Sequence, residues 1–204
     1  MRQYFEKMPS TFGKKLDDSQ IKSMQENLQQ IKAEENKLAE AVAKVKNAGI
    51  PAETLQKRGE KTVYERIELL VDPGTFLPLN TLYNPENNEE GTTGVVNGIG
   101  KINGKYASII ASDNKVLAGA WIAGQAENIF RAQDIAERFR IPLVWLLNCS
   151  GVKLTEQEEV YAGRRSGGRP FFRHAELAQK GIPVLVTVFG TNPAGGGYHA
   201  ISPT

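Results

Sequence analysis

Between Asp17 and Ala48 the apolar residues Ile21, Met24, Leu28, Ile31, Leu38, Val42 and Val45 recur at intervals of three, four or seven. Polar residues such as Lys22, Gln25, Glu26, Gln29, Lys32, Glu40 and Lys44 fill the positions between them. That spacing predicts one helix of several turns with a single apolar stripe. Asp17, Asp18 and Ser19 can cap its start, and Gly49 and Pro51 end it. Glu35 interrupts the stripe, so packing on its own domain or on a second subunit is favoured over pairing with a heptad partner. Residues 1–60 are accordingly read as an N-terminal helical arm, and 61–204 as the body.

The pattern changes after residue 60. Residues 61–76 predict a short amphipathic helix stopped by Asp72-Pro73-Gly74. Residues 82–93 are polar and read as a surface loop. Residues 94–111 predict two strands joined by an Asn103-Gly104 hairpin turn, and Val116-Leu117 begins a further short strand. From Gln125 to Arg140, Ile129, Ala132, Ile135, Ala136 and Phe139 alternate with charged residues in the pattern of a surface helix, which leads into an apolar run at 141–147. A second helix near 171–180 leads into another apolar run at 182–189. Repeated strand–helix–strand order implies an α/β fold with a parallel sheet and right-handed crossovers.

Each apolar run ends in a turn of small residues. Asn148-Cys149-Ser150-Gly151-Val152-Lys153 follows the first run, and Gly190-Thr191-Asn192-Pro193-Ala194-Gly195-Gly196-Gly197-Tyr198-His199 follows the second. Glycine lets a backbone N–H face a ligand at close range because no Cβ intrudes. Both turns leave the carboxyl ends of strands, where α/β sheets place their ligands. Two such turns can aim two N–H donors at one oxygen, the arrangement that stabilises a developing oxyanion.

Composition narrows the field. At 40% hydrophobic and 24% charged, the chain is globular rather than disordered, and 204 residues suffice for one core plus an appendage. The 25 basic residues nearly balance the 23 acidic ones, so no strong field favours nucleic acid, and a cytoplasmic small-molecule role is expected. Cys149 is the only cysteine, which excludes an internal disulfide and fits a reducing compartment. No apolar run reaches the roughly 18 residues of a membrane span. The polar start at residues 1–7 lacks the core of a signal peptide, so membrane association is expected only through a partner.

Competing motifs are weaker. Gly98-Ile99-Gly100-Lys101-Ile102-Asn103-Gly104 has one residue too many for a dinucleotide fingerprint and no helix after it, which favours a hairpin. No segment matches a P-loop. His174, His199 and Cys149 are the only nitrogen or sulfur candidates for a metal and match no ligand spacing, so no metal is expected. Asn148-Cys149-Ser150 is formally a glycosylation sequon, but it ends an apolar strand. Cys149 or Ser150 with His199 as base would need a third, orienting group, and a buried thiol with a turn hydroxyl is favoured. The basic cluster Lys153, Arg164, Arg165, Arg169 and Arg173 reads equally well as a solvated face or subunit contact and as a phosphate site. His199 can reach a ligand at the second turn, or serve as a hydrogen-bonded histidine at a helix start.

The segment Tyr64-Glu65-Arg66-Ile67-Glu68-Leu69-Leu70-Val71-Asp72-Pro73-Gly74-Thr75-Phe76, followed in order by the turns 148–153 and 193–198, resembles the carboxyltransferase subunits of biotin-dependent enzymes, members of the crotonase-like superfamily. The resemblance covers roughly residues 60–204. It implies a crotonase-like fold of repeated ββα units behind the helical arm, a CoA thioester as substrate, and biotin carried on a partner subunit. It places Val152 and Gly196 as the oxyanion donors, with Gly195 as the rival to Gly196. Gly151, Gly195, Lys153, Arg164 and Arg165 are then substrate-binding residues. His199 falls where hydratases of the superfamily carry an acid/base carboxylate, which argues against hydration. Most acyl-CoA members have Asp-Ser-Gly-Gly-Ala-Arg where this chain has Asn148-Cys149-Ser150-Gly151-Val152-Lys153. That departure points to the sodium-translocating decarboxylase branch, which converts glutaconyl-CoA to crotonyl-CoA. The expected partners are a biotin-carrier subunit, a membrane sodium-pump subunit and a second copy of the chain, with a peripheral place on the membrane through them. The body is expected to be incomplete at its C-terminal end, the biotin contacts lying in a further domain. The alternatives are a crotonase-like hydratase, isomerase or thioesterase, and a non-catalytic CoA-binding module.

Overall fold

The computed structural model describes residues 15–201. The polar start at residues 1–7 therefore lies outside the described residues. Helix α1 spans Asp18–Lys46, and Asp17 caps it by accepting hydrogen bonds from the Gln20 N–H at 2.8 Å and the Ser19 hydroxyl at 2.6 Å. No residue of α1 is buried, and Met24, Leu28, Ile31 and Leu38 of the apolar stripe are more than half exposed. The chain divides into compact units at 1–41 and 42–204. This differs from an arm ending at residue 60, because Leu55 of the short helix α2, Ala52–Gln56, is buried within the second unit.

Helix α3, Val63–Leu70, begins where expected, with a reciprocal cap. The Glu65 N–H donates to the Thr62 hydroxyl oxygen, and the Glu65 carboxylate accepts from the Thr62 N–H at 2.7 Å. The body is a five-stranded mixed sheet in the order β1-β2-β3-β4-β5, with β1 at Leu77–Leu79, β2 at Val95–Ile102, β3 at Lys105–Ser112, β4 at Leu143–Leu147 and β5 at Val184–Val188. The first three strands pair antiparallel, and β3, β4 and β5 run parallel. Asn103 and Gly104 turn the β2–β3 hairpin with φ of 50° and 77°, the left-handed pair that matches strand twist. The glycine-rich 98–104 stretch is thus a hairpin, not a phosphate loop.

Val116-Leu117 does not begin a strand. Val116 is buried, but Leu117 and Ala118 take φ of 47° and 54° in a 3-10 turn at Leu117–Gly119, which ends extension at once. The remaining helices are α4 at Gln125–Phe139, α5 at Gln157–Tyr161, α6 at Arg169–Gln179 and α7 at Gly195–Ile201.

Alternate strand residues build two cores. Ile110, Leu143, Trp145 and Leu147 face Ile129, Ala132 and Ala136 of α4, with Leu177 of α6 in the same cluster. Ile109, Ala111 and Leu146 face Val63 and Ile67 of α3 on the other side. The period-two alternation explains why β4 is an unbroken apolar run, since both of its faces are covered. Each fully buried side chain of this size contributes about 1.5–3 kcal/mol. The sheet with helices on both faces is the α/β architecture expected from the strand–helix order, and β2–β3–α4 is one ββα unit of it.

Candidate functional site

β4 and β5 pair parallel in register from Leu143↔Val184 to Leu147↔Val188, so the turns that follow them start side by side. Both turns then line one cavity of about 140 Å³, formed by Cys149, Gly151 and Val152 from the first, Pro193, Ala194, Gly195, Gly196 and His199 from the second, and the Trp121, Tyr161, Gly167 and Phe171 walls.

In the first turn the backbone donors are assigned one by one. The Gly151 N–H donates to Cys149 Sγ at 3.3 Å, and the Lys153 N–H donates to the Trp121 carbonyl at 2.9 Å. The Trp121 N–H returns a bond to the Gly151 carbonyl at 2.8 Å, making a parallel bridge between Trp121 and Val152. A residue at the centre of such a bridge turns its own N–H to the opposite side. The Val152 N–H accordingly has no acceptor among the described residues, and Val152 lines the cavity.

In the second turn the Gly196 N–H donates to the Pro193 carbonyl at 3.0 Å, and the Tyr198 N–H to Ala194 at 3.2 Å. The N–H groups of Gly195 and of Ala194, both on the cavity wall, have no acceptor among the described residues. The Gly196 N–H is thus already bonded, whereas that of Gly195, the rival candidate, is not. Gly196 serves instead as a spacer. A Cβ there would lie 2.8 Å from Cys149 Cβ and 2.9 Å from Sγ, so only glycine lets the two turns touch.

The nucleophile reading finds no support. Burial pushes the Cys149 thiol up, against a smaller opposing effect of the Gly151 N–H, which disfavours the thiolate. The Ser150 hydroxyl donates to the Leu117 carbonyl at 2.9 Å.

His199 is fully buried. Its ring stacks on Phe171 at 3.8 Å and 8° and on Trp121 at 5.1 Å and 19°. Its Nδ1 lies 3.4 Å from Nε2 of the equally buried His174. Burial lowers His174 to about 4; burial, and then His174 itself, lower His199 to about 2. Both imidazoles are neutral at pH 7.

The basic cluster is largely paired. Lys153 Nζ bonds Glu156 at 2.7 Å and lies 3.5 Å from Glu90. Burial pushes the Glu156 carboxyl up, but its bonds to Lys153 and to the Ala123 N–H outweigh this and hold it below the usual range. Arg165 forks onto Glu127 and lies over the Phe130 ring at 4.1 Å. Arg169 pairs with Glu176 at 3.3 Å, and the buried Arg173 with Asp134, Glu137 and Glu176. Arg164 is exposed and makes no ion pair among the described residues. The two turns are therefore brought together, whereas Lys153 and Arg165 face carboxylates that a phosphate would have to displace. Sequence reasoning missed Trp121, which is placed by its bridge to Val152, and Phe171, which is placed by the packing of α6 beside the sheet.

The family model of the carboxyl transferase domain matches residues 55–204. The chain belongs to that family. Over its whole length the carboxyl transferase chain is 52% identical to the glutaconyl-CoA decarboxylase subunit alpha of Acidaminococcus fermentans, covering 34% of that protein. It is similar to the beta subunit of P. aeruginosa geranyl-CoA carboxylase with a TM-score of 0.65 and 28% identity, over 87% of this chain and 32% of that one. A transcarboxylase 12S structure, described as a hexamer with methylmalonyl-coenzyme A and methylmalonic acid bound, gives a TM-score of 0.74 at 22% identity over 84% of this chain and 35% of the other, and speaks for the fold alone. The carboxyl transferase chain thus has the crotonase-like fold, and it spans about a third of the length of the proteins it matches.

Proposed function

We propose that the chain belongs to the carboxyltransferase subunit of a biotin-dependent, sodium-translocating decarboxylase that acts on glutaconyl-CoA and leaves crotonyl-CoA. The observation that carries this reading is the convergence of the two strand-end turns on one cavity, each with an uncommitted backbone N–H, at Val152 and Gly195. The family and the 52% identity to a glutaconyl-CoA decarboxylase subunit alpha support the substrate class.

The chemistry follows from those donors. When the bond from the acyl chain to its carboxylate breaks, the electron pair stays on the acyl carbon. The carbanion delocalises through the conjugated double bond onto the thioester oxygen, giving a dienolate, and a later proton on carbon yields crotonyl-CoA. Donors fixed before the charge appears need no reorganisation, and each is worth about 10²–10³ in rate. Trp121, Phe171 and Val152 give the donors an apolar wall, where hydrogen bonds are stronger than in water.

Biotin on a partner subunit would supply the nitrogen that accepts the carboxyl group. A cavity of about 140 Å³ suits a short acyl chain, and this reading puts the biotin contacts outside it. Arg164, exposed beyond Tyr161 and without an ion pair among the described residues, is available for a CoA phosphate, and Lys153 and Arg165 become available by exchange of ion pairs. A biotin carrier, a membrane sodium-pump subunit and a second copy of the chain are the partners this reading entails.

The test is calorimetric titration of the full-length protein with glutaconyl-CoA, with free CoA as control. Micromolar binding that requires the acyl group supports the reading; equal affinity for both ligands contradicts a thioester site at Val152 and Gly195.

A further inference from the structure

The backbone donors hold one end of an acyl chain, and the other end needs room. A cavity of about 140 Å³ admits on the order of six non-hydrogen atoms, the size of a benzene ring. Its wall residues include no Asp, Glu, Lys or Arg, so shape decides which chain fits.

Gly167 stands apart on that wall. It is buried in the connection between α5 and α6, which folds back so that the Gly167 N–H donates to the Val160 carbonyl at 2.7 Å. Its φ lies outside the left-handed region that favours glycine, so chain direction alone does not demand the residue. The missing side chain is what matters. A Cβ there would lie 3.4 Å from Tyr161 Cδ1 and 3.6 Å from Trp121 Cζ3, both on the cavity wall, and 3.0 Å from the Val160 oxygen. Its absence is space between Tyr161 and Trp121.

Trp121 connects this space to the donors. Its backbone is bonded on both sides of Val152, and its indole extends from there to the vicinity of Gly167. An acyl chain that starts at the Val152 N–H and follows the indole arrives beside Gly167. We propose that Gly167 is a specificity-determining residue, which leaves room between Tyr161 and Trp121 for the far end of the acyl chain and so lets the site take acyl groups longer than four carbons. A crotonyl group has three carbons beyond its thioester carbon, about half of what the cavity holds, and leaves this end empty. A glutaconyl group has six non-hydrogen atoms there and reaches it. The same space therefore favours substrate over product in the proposed reaction. Tyr161 is largely exposed, so a carboxylate at this end is not sealed into the core.

This inference rests on the acyl-thioester reading above, and its test separates the two. The full-length protein, wild type and Gly167→Ala, is titrated with crotonyl-CoA, hex-2-enoyl-CoA and free CoA. Both acyl chains are neutral, so only length differs. In the wild type the two added methylenes should tighten binding by about fourfold each. Gly167→Ala should cut that advantage by about fourfold or more and leave crotonyl-CoA unchanged. Equal losses for the two acyl ligands, no loss, or a wild type that gains nothing from the added length overturn the role of Gly167 while leaving the thioester site intact. Wild-type protein that binds neither acyl ligand better than free CoA overturns the thioester reading and this one with it. Because the alanine methyl would be tight against the Val160 oxygen, a second measurement uses no variant. In wild-type protein with ¹³C-labelled glycine, the terminal methyl of bound hex-2-enoyl-CoA should show a nuclear Overhauser contact to the Gly167 Cα hydrogens, and that of crotonyl-CoA should not. No contact from the longer chain, or equal contact from both, contradicts the proposal.

Discussion

β4 and β5 are alike as sequence and unlike as structure. Each is an apolar run that delivers a turn of small residues, yet all of β4 is buried, whereas Leu185 and Val188 of β5 are 52% and 46% exposed. β4 has a strand on each side and helices over both faces; among the described residues β5 pairs with β4 alone. The two turns inherit that difference. The first is pinned by backbone bonds to Trp121, and the second is held against it through the Gly196–Cys149 contact. One turn is set by a hydrogen-bonded bridge, the other by the absence of a side chain at Gly196.

Truncation of the two strands should expose the contrast most strongly. Leu147→Ala is expected to destabilise the protein by about 2–5 kcal/mol in chemical denaturation, and Val188→Ala by well under half of that. Equal losses would mean that β5 is as firmly packed as β4. Val152→Pro removes the bridge-set donor and should lower decarboxylation by about 10²–10³ in the assembled enzyme. Unchanged turnover in folded protein counts against Val152. At the second turn, Gly196→Ala should cost about 1–3 kcal/mol, because its Cβ meets Cys149 at 2.8 Å. Gly195→Ala should be milder, since the nearest atom to its Cβ is Phe171 Cζ at 3.9 Å. A reversed order in thermal denaturation would show that the turns touch elsewhere.

The last effect concerns pH. His174 and His199 are lowered in the folded chain from 6.5 to about 4 and about 2. Below pH 6.5 the unfolded chain binds protons that the folded chain does not, so stability is fully present above that pH and falls as the solution is acidified toward 4. The expected slope is about 1.4 kcal/mol per pH unit for each histidine. Denaturant midpoints at pH 7.5 and 5.5 measure it, and the double variant His174→Phe/His199→Phe should flatten it. A slope of half this size would place one ring in water, and a flat wild-type profile both.

Much of this was legible in the chain. Asn103-Gly104 announced the hairpin, the spacing of Ile129, Ala132 and Ala136 announced α4, and the apolar runs ending in glycine announced both turns. The misses have physical causes. α2 and α5 are five residues each, too short to show a period, and the three residues of β1 include Pro78. Leu117 reads as a strand residue, but it takes a left-handed φ of 47° in a 3-10 turn and its side chain is exposed. Which N–H groups stay free was invisible, because the acceptor of the Lys153 N–H is Trp121, far away in sequence. The same holds for the partners of Lys153 and Arg165, Glu90 and Glu127, which only the fold brings near. Gly196 illustrates the limit: its position in the triplet suggested a donor, and only the fold reveals its close approach to Cys149 and its bond to Pro193.

The central claim, that the Val152 and Gly195 N–H groups hold one thioester oxygen, is tested most directly by isotope-edited infrared spectroscopy of ¹³C=O-labelled glutaconyl-CoA bound to the full-length protein. The account predicts that the carbonyl stretch moves to lower frequency on binding to wild type and returns toward its solution value in Val152→Pro. A bound carbonyl that vibrates at the same frequency in both proteins would contradict it.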